Sequence, residues 1–233
     1  MDDQQNNINE INRVVWLKKT LEKIPSGLRI LDAGAGEQQF KNFCAHLNYM
    51  SQDFAQYKPD EVKNGLQMHQ WDYGKLDIVS DIVDIPEPDK SFDAIMCTEV
   101  FEHIPNPIAA IKEFDRLLKK GGYLIITAPF CSMTHFAPYH YYSGFNKYFY
   151  EKHLIENEFE ILEITANGNY FEFLKQEMSR VTSIAEKYTN QKKSFIESKA
   201  IGIVYKMLVK FSKKNKGSEE LLNFGFHILA RKK

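Results

Sequence analysis

The chain has 233 residues, 43% hydrophobic and 26% charged, enough for one α/β domain with an appended element and too few for two full domains. A formal net charge of −1 excludes a general polyanion-binding surface and so disfavours nucleic acid as a partner. Three widely spaced cysteines (Cys44, Cys97, Cys131) exclude a disulfide framework and a cysteine-rich metal site, and no metal site is expected. The acidic, polar start and the lack of any apolar run of about 18 residues make a cytoplasmic location the expectation.

Residues 9–23 carry Ile11, Val14, Val15 and Leu21, with Trp16 and Leu17 between them, on a helical repeat that Pro25 and Gly27 end. Residues 1–27 therefore read as an N-terminal helical cap over one edge of a cleft. Leu28, Ile30 and Leu31 then form a buried-type strand that closes at Asp32 and enters a turn containing Ala33, Gly34 and Gly36, with a helix expected from near Glu37. A dinucleotide fingerprint requires a third glycine where Gln39 stands. Asp32 at the mouth of the turn repels a diphosphate and favours a cation. S-adenosylmethionine, with its sulfonium and α-ammonium groups, suits that pattern, and its carboxylate can use the turn's amides.

A second strand, residues 48–53, ends in Asp53, twenty-one positions after Asp32, where a ribose diol is held in nucleotide-binding βαβ units. Phe54 follows it. Residues 76–79 read as a short strand leading to Asp81, placed to accept from an adenine amino group, and Ile82, placed to pack on the ring. A fourth strand, residues 91–97, delivers Thr98, Glu102 and His103 to the carboxyl edge of the sheet, where open α/β sheets bind ligands. Asn106 and Pro107 open a helix with Ile108, Ile111, Phe114 and Leu118 on one face, expected to stop at Gly121 and Gly122.

Residues 123–127 are an apolar strand of the type buried on both faces of a parallel sheet. The loop after it, residues 128–145, is dense in aromatics and histidines and is expected to wall the acceptor pocket. For a hydroxyl acceptor a base must take the proton; His140 and His135, and then His103, are the candidates, while Phe130, Tyr139, Tyr141 and Tyr142 are candidate substrate contacts. Each histidine also reads as a hydrogen-bonded loop residue, and each tyrosine as packing. Residues 160–165 and 222–230 look like strands. The residues between them are too many for a hairpin loop and read as a helical insertion. Within it, residues 170–186 form one helix, and Ser194 to Glu197 is a capping box opening a second. There Ile196, Ala200, Ile203, Met207 and Phe211 form a stripe, with Lys199, Lys206, Lys210, Lys213 and Lys214 on the polar side and Gly217 at the end. Packing on its own domain, a homodimer contact, or peripheral membrane contact through residues 194–216 all fit such a helix.

In order, Leu31-Asp32-Ala33-Gly34-Ala35-Gly36, Asp53, Ser80-Asp81-Ile82, Ser91-Phe92-Asp93, Glu102-His103 and Arg116-Leu117-Leu118-Lys119-Lys120-Gly121-Gly122 resemble the class I S-adenosylmethionine-dependent methyltransferases, of the type 11 kind. The resemblance implies a doubly wound, seven-stranded, mostly parallel Rossmann-like α/β sheet with an antiparallel last strand. It implies a single methyltransferase domain over residues 1–233, with a cofactor-binding core at 28–166, a helical insertion at 167–220 and a final strand at 221–233. It also implies that Asp32, Gly34 and Gly36 hold the methionine portion, Asp53 the ribose, and Asp81 with Ile82 the adenine. The turn departs from many relatives in reading Glu37-Gln38-Gln39 where another glycine is common. The segment His135 to Tyr142 resembles loops of bacterial methyltransferases of surface-polysaccharide assembly, implying O-methylation of a sugar, a sugar nucleotide or a phosphoryl-bearing precursor. The Thr98-Glu99-Val100 sequence lacks the Pro-Pro-Tyr pattern of base amino methylation. The alternatives are methylation of another small molecule and a nonenzymatic nucleotide-binding or scaffold protein.

Overall fold

Parallel strands flanked by helices need apolar residues on both faces, and the chain supplies them in four short runs. In the computed structural model, which describes residues 8–57, 65–66 and 72–233, these runs become β1 (Arg29–Ala33), β2 (Asn48–Asp53), β4 (Phe92–Thr98) and β5 (Leu118–Pro129). With β3 (Ile78–Val79), β6 (Phe159–Asn167) and β7 (Gly225–Lys232) they build a seven-stranded sheet in the order β3-β2-β1-β4-β5-β7-β6. Strand β1 pairs in parallel with β2 and β4, β4 pairs in parallel with β5, and β7 runs antiparallel to β5. The expected fold class therefore holds. The order reverses between β1 and β4, so their carboxyl ends border the crevice where such sheets take ligands.

Helix α1 (Ile8–Leu21) places Leu17 and Leu21 in a core cluster with Ile30, Phe40, Cys44, Ala94, Met96 and Ile125, which seats its second half against the sheet. Helix α2 (Pro107–Leu117) starts as expected: the Asn106 side chain accepts from the Ala109 amide and Pro107 fills the first helical position, where no donor is needed. It ends at Leu117, short of the glycines, because the chain turns directly into β5 and Leu118 pairs with Phe92 before a register shift carries Tyr123 opposite Ala94. The helix expected from near Glu37 does not form; a turn and a short 3-10 helix, Lys41–Cys44, take its place. One helix not foreseen, α3 (Lys147–Glu156), is capped by Asn146, whose side chain accepts from the Phe149 amide, and buries Tyr150 and Leu154. Among the described residues no helix is long and apolar enough to cross a membrane.

The chain divides into two compact units. The larger runs from Arg13 to Thr165 and includes Gly225–Lys233; the smaller comprises Ala166–Phe224 with the first turns of α1. In the smaller unit α4 (Tyr170–Thr189) and α5 (Phe195–Ser212) form a hairpin. Both open on capping boxes, Asn169 with Glu172 and Ser194 with Glu197. Asn169 also donates to the Ser212 hydroxyl, which in turn donates to Glu172, so the two helices are tied at one end. The stripe singled out in the sequence is not the face α5 buries. Ile196 is 79% exposed and Ile203 69%, whereas Leu208 is 5% exposed. A second stripe one position over, with Ile201, Val204 and Tyr205 partly covered alongside Leu208, is the inward one.

Candidate active site

The donor side is built at the carboxyl ends of β1 and β2. Gly34 takes φ +78°, which an L side chain rarely adopts, and a Cβ there would stand 2.5 Å from Val100 Cγ2, so the turn admits no side chain. Its amides are already committed: those of Gly34 and Ala35 donate to the Gln52 carbonyl at 2.9 Å, and that of Gly36 donates to Asp53 Oδ2 at 2.9 Å. The expectation that these amides hold a ligand carboxylate is thereby corrected, since each has a partner on β2. Asp53 also accepts from the Ala55 amide through Oδ1 at 2.9 Å. Each carboxylate oxygen keeps a second lone pair for a ribose hydroxyl. Asp32 lies buried beneath the turn and accepts from the Tyr49 hydroxyl at 2.6 Å. Burial raises its carboxyl to about 7, with Asp53 adding repulsion and the Tyr49 bond opposing. A cation placed beside it would restore the ionised form.

Asp81 folds back on its own chain, accepting from the Val83 amide at 3.1 Å, while Ile82 is buried beside it. The Ser80 amide donates to the Asp53 carbonyl and Gln52 donates to the Ser80 carbonyl, so the adenine candidates stay next to the ribose candidate. Glu37 and Gln38 have a role the sequence did not show. Glu37 accepts from the Asp72 amide, and the Gln38 side chain donates to the carbonyls of Tyr73 and Lys75. They fasten the approach to β3 where relatives carry a glycine.

The acceptor side grows from β4 and β5. After Thr98, whose buried hydroxyl has no partner, Glu99 takes φ +56° and receives hydrogen bonds and charge from Thr127 and Arg13. That non-glycine left-handed residue turns the chain so that Glu102 and His103 face the loop from Phe130 to Phe145. The loop is held to them by backbone: the Tyr141 and Tyr142 amides donate to the Glu102 carbonyl, and His103 Nδ1 lies 2.6 Å from the Tyr139 carbonyl. His103, His135 and His140 consequently gather, with ring centroids 4.7 Å, 4.9 Å and 5.8 Å apart. Tyr139 meets Phe54 edge to face at 4.9 Å, which joins the acceptor loop to the residue after Asp53. Phe130 leans on Phe226, the Tyr142 hydroxyl donates to the Pro105 carbonyl, and Tyr141 is 47% exposed.

Burial sets the protonation of this group. Desolvation, with His135 and His140 adding repulsion, takes His103 down to about 3, and desolvation and His135 lower His140. Glu102 is raised well above the usual carboxylate range by burial and then by Glu99. The sequence spacing marks no metal centre, yet in space Glu102, His103 and His135 each place a ligating atom within 4.8 Å of the others.

Residues 9–164 match the family model described as Methyltransferase domain. The chain belongs to this family. Among curated proteins this methyltransferase domain is similar to the Ubiquinone biosynthesis O-methyltransferase of Xanthomonas axonopodis pv. citri (strain 306), 32% identical over 133 residues, 54% of this chain and 53% of that protein. The chain thus spans about half the length of the curated relatives it matches. Among solved structures it is similar to the [4+2]-cyclase SpnF, with a TM-score of 0.58 at 17% identity over 95% of this chain and 80% of that one. A SAM-dependent methyltransferase from Archaeoglobus fulgidus has a TM-score of 0.55 at 16% identity, covering 95% and 94% of the two chains. These likenesses show the fold. The presence of a cyclase among them is a reminder that function lies in the site rather than the sheet.

As a member of the family the chain is an S-adenosylmethionine-dependent methyltransferase domain. Its residues fit that cofactor: a glycine turn that a Cβ would block, a ribose-type acid with lone pairs to spare, and a buried carboxyl that desolvation raises to about 7 and that a cationic group would stabilise in its ionised form. Of the residues singled out in sequence, the structure brings Asp32, Gly34, Gly36, Asp53, Phe54, Asp81 and Ile82 to one side of the crevice and the three histidines with Tyr139 to the other. Tyr49, Gln52 and Glu99 escaped the sequence reading as site-shaping residues, and Glu102 was placed at the ligand edge without a role of its own. Only Glu102 had a signal, its place beside His103 in the motif after β4.

Proposed function

We propose that the chain is an O-methyltransferase that places the methyl group of S-adenosylmethionine on a hydroxyl of a small ring-shaped acceptor. The observation that supports this most is the gathering of His103, His135 and His140 at the loop edge that touches Phe54. Attack by a hydroxyl oxygen releases a proton, and a neutral imidazole is the side chain suited to receive it. His140, held below its ordinary value and therefore neutral at pH 7, is the base in this reading; its Nε2 lies 3.2 Å from the Ser132 hydroxyl, which orients the ring. The bound donor supplies a methyl group on a sulfonium. Tyr139, Phe130 and the edge of Phe54 exclude water from the path, and holding oxygen and methyl carbon in line supplies much of the rate.

The loop from Phe130 to Phe145 contains no lysine or arginine. That argues against the phosphoryl-bearing acceptors implied by the polysaccharide resemblance, because a phosphate there would lack a cationic partner. The curated relatives are named for ubiquinone biosynthesis, which favours a hydroxylated aromatic ring over a sugar. A sugar stays as the second reading because Tyr141 and Tyr142, 47% and 37% exposed, offer ring faces for stacking. The test is methyl transfer from labelled donor to a panel of phenols, catechols, sugars and sugar nucleotides. Transfer to a hydroxylated ring, with His140→Ala keeping donor affinity and losing about 100-fold or more in kcat, is the expected result. Full activity in His140→Ala would remove the base assignment, and donor binding without transfer to any hydroxyl would remove the O-methyltransferase reading.

A further inference from the structure

Strand β2 brings to the donor turn one side chain that no donor motif names. Strands β1 and β2 run in parallel with Ile30 opposite Tyr49 and Asp32 opposite Ser51, so Tyr49 stands one pleat behind Asp32 on the same face of the sheet. Two residues of strand span about 6.6 Å, a reach that a tyrosine side chain has and a serine or threonine lacks. The phenol ends 2.6 Å from Asp32 Oδ2, and because an ionised carboxylate only accepts, the phenol gives its single proton there. Among the described residues no other side chain is hydrogen-bonded to Asp32, which is 3% exposed. The ionisable groups around the pair bring no cation to the carboxyl: Asp53 and the Cys44 and Cys97 thiols act on Asp32, and Asp77 acts on Tyr49. Lys41 holds its ammonium over the Tyr49 ring, 5.4 Å from the centroid. Burial raises both thiols and the phenol, so all three keep their protons where Asp32 titrates.

We propose that Tyr49 is a positioning residue for the methyl donor: its hydroxyl fixes the Asp32 carboxylate that receives a cationic group of the donor. A hydrogen bond donated to a carboxylate favours the ionised form over the acid. At Asp32 that bond opposes desolvation, which is the larger effect, and the balance leaves the carboxyl at about 7. With the phenolic oxygen removed, no side chain would offset desolvation there, and the carboxyl would hold its proton more tightly. Capture of the donor is then an exchange of one cation for another. The acid releases its proton to solvent as the donor's ammonium comes to lie beside the carboxylate, and Tyr49 sets how readily that proton leaves. This role depends on the donor and on nothing in the acceptor loop, so it holds whichever acceptor is methylated.

Tyr49→Phe keeps the ring, and with it the contact to Lys41, and deletes only the hydroxyl. Two measurements on the full chain test the role. Without donor, the Asp32 carboxyl is followed by carbon-13 NMR from about pH 5 to about pH 9, and its midpoint should move up by about one unit in Tyr49→Phe. With S-adenosylhomocysteine, which keeps the donor's ammonium, affinity is read by calorimetry. At about pH 6 the variant should bind about 10-fold more weakly than the parent, and at about pH 8.5 within about 2-fold of it. In an Asp32→Asn background Tyr49→Phe should change that affinity by less than about 2-fold at either pH. A residue that merely packs would weaken binding by one factor at every pH. Equal weakening at both pH values, an unmoved Asp32 midpoint, or the same loss in the Asp32→Asn background overturns the assignment.

Discussion

Replacing Asp32 by asparagine isolates the electrostatic cost built into the donor turn. In the folded chain burial moves this carboxyl from 3.8 up to about 7. Below the lower value the group is protonated in both folded and unfolded states and costs nothing. As pH rises from there the unfolded chain ionises first, so stability is lost progressively until the folded carboxyl also ionises near 7. Above that the penalty is constant. A shift of about three units at about 1.4 kcal/mol each makes it of the order of 4 kcal/mol. Asparagine cannot ionise and still offers an oxygen to the Tyr49 hydroxyl, which donates to Asp32 at 2.6 Å. Asp32→Asn should therefore match the parent near pH 4 and exceed it by up to about 4 kcal/mol at pH 8, read from denaturant unfolding without donor. The donor should behave oppositely: its affinity for the parent should improve as pH rises through 7, when Asp32 meets the cation ionised, and should be flat in the variant. An unchanged pH slope of stability in Asp32→Asn, or a variant weaker than the parent at pH 8, would refute the reasoning.

Gly34→Ala should weaken donor binding and cost at least about 1 kcal/mol of stability, because it combines a left-handed φ with overlap on Val100; adding Val100→Ala should recover the part due to overlap, as a double-mutant cycle would show. His227 is buried against Trp16 and held by desolvation at about 4, so its contribution is complete above about 6.5 and lost as pH falls through 4. Acid unfolding of the parent should steepen over that window by about 3 kcal/mol, and His227→Phe should flatten it. In the helical hairpin Leu208→Ala should cost about 2 to 5 kcal/mol, while Ile203→Ala should stay within about 0.5 kcal/mol of the parent; the reverse order in thermal unfolding would mean that the outer stripe is the packed one.

The donor half of the site was legible because its signals are local. A strand, an acid and two glycines within a few residues specify a turn, and the distance to Asp53 specifies its companion. The acceptor half depends on contacts between distant segments. Glu102 and His135 are brought together by amides of Tyr141 and Tyr142 bonding a carbonyl, an interaction no side-chain pattern encodes. Which nitrogen of each histidine is bare depends on the carbonyls of Tyr139 and Met133, visible only in three dimensions. The missing helix after β1 has a similar cause: the Gln38 side chain bonds carbonyls beyond residue 72, so a segment with adequate helix propensity is held in a turn. Helix α3 escaped because only Tyr150 and Leu154 are buried, too few for an apolar stripe. Helix α5 is apolar on two neighbouring stripes, so periodicity alone could not say which one packs.

Strand β5 has a scheduling problem that follows from the position of β7. It lies inside the sheet, and Leu124, Ile125 and Ile126 are wholly buried, yet one of its two neighbours is the strand Gly225–Lys232, made only after the helical excursion Ala166–Phe224. As the chain emerges from the ribosome, the amides and carbonyls along that side of β5 have no native partner until the excursion has been synthesised. The Pro129 end, from which the histidine loop departs, pairs with Gly225, the first residue of β7 to be made, where even a Cβ would collide with Ala128, and the Tyr123 end waits for Arg231. A nascent chain halted within the excursion therefore presents a long apolar strand edge, a template for intermolecular pairing. Fast, independent closure of the α4–α5 hairpin, favoured by its local contacts, shortens the span β7 must search.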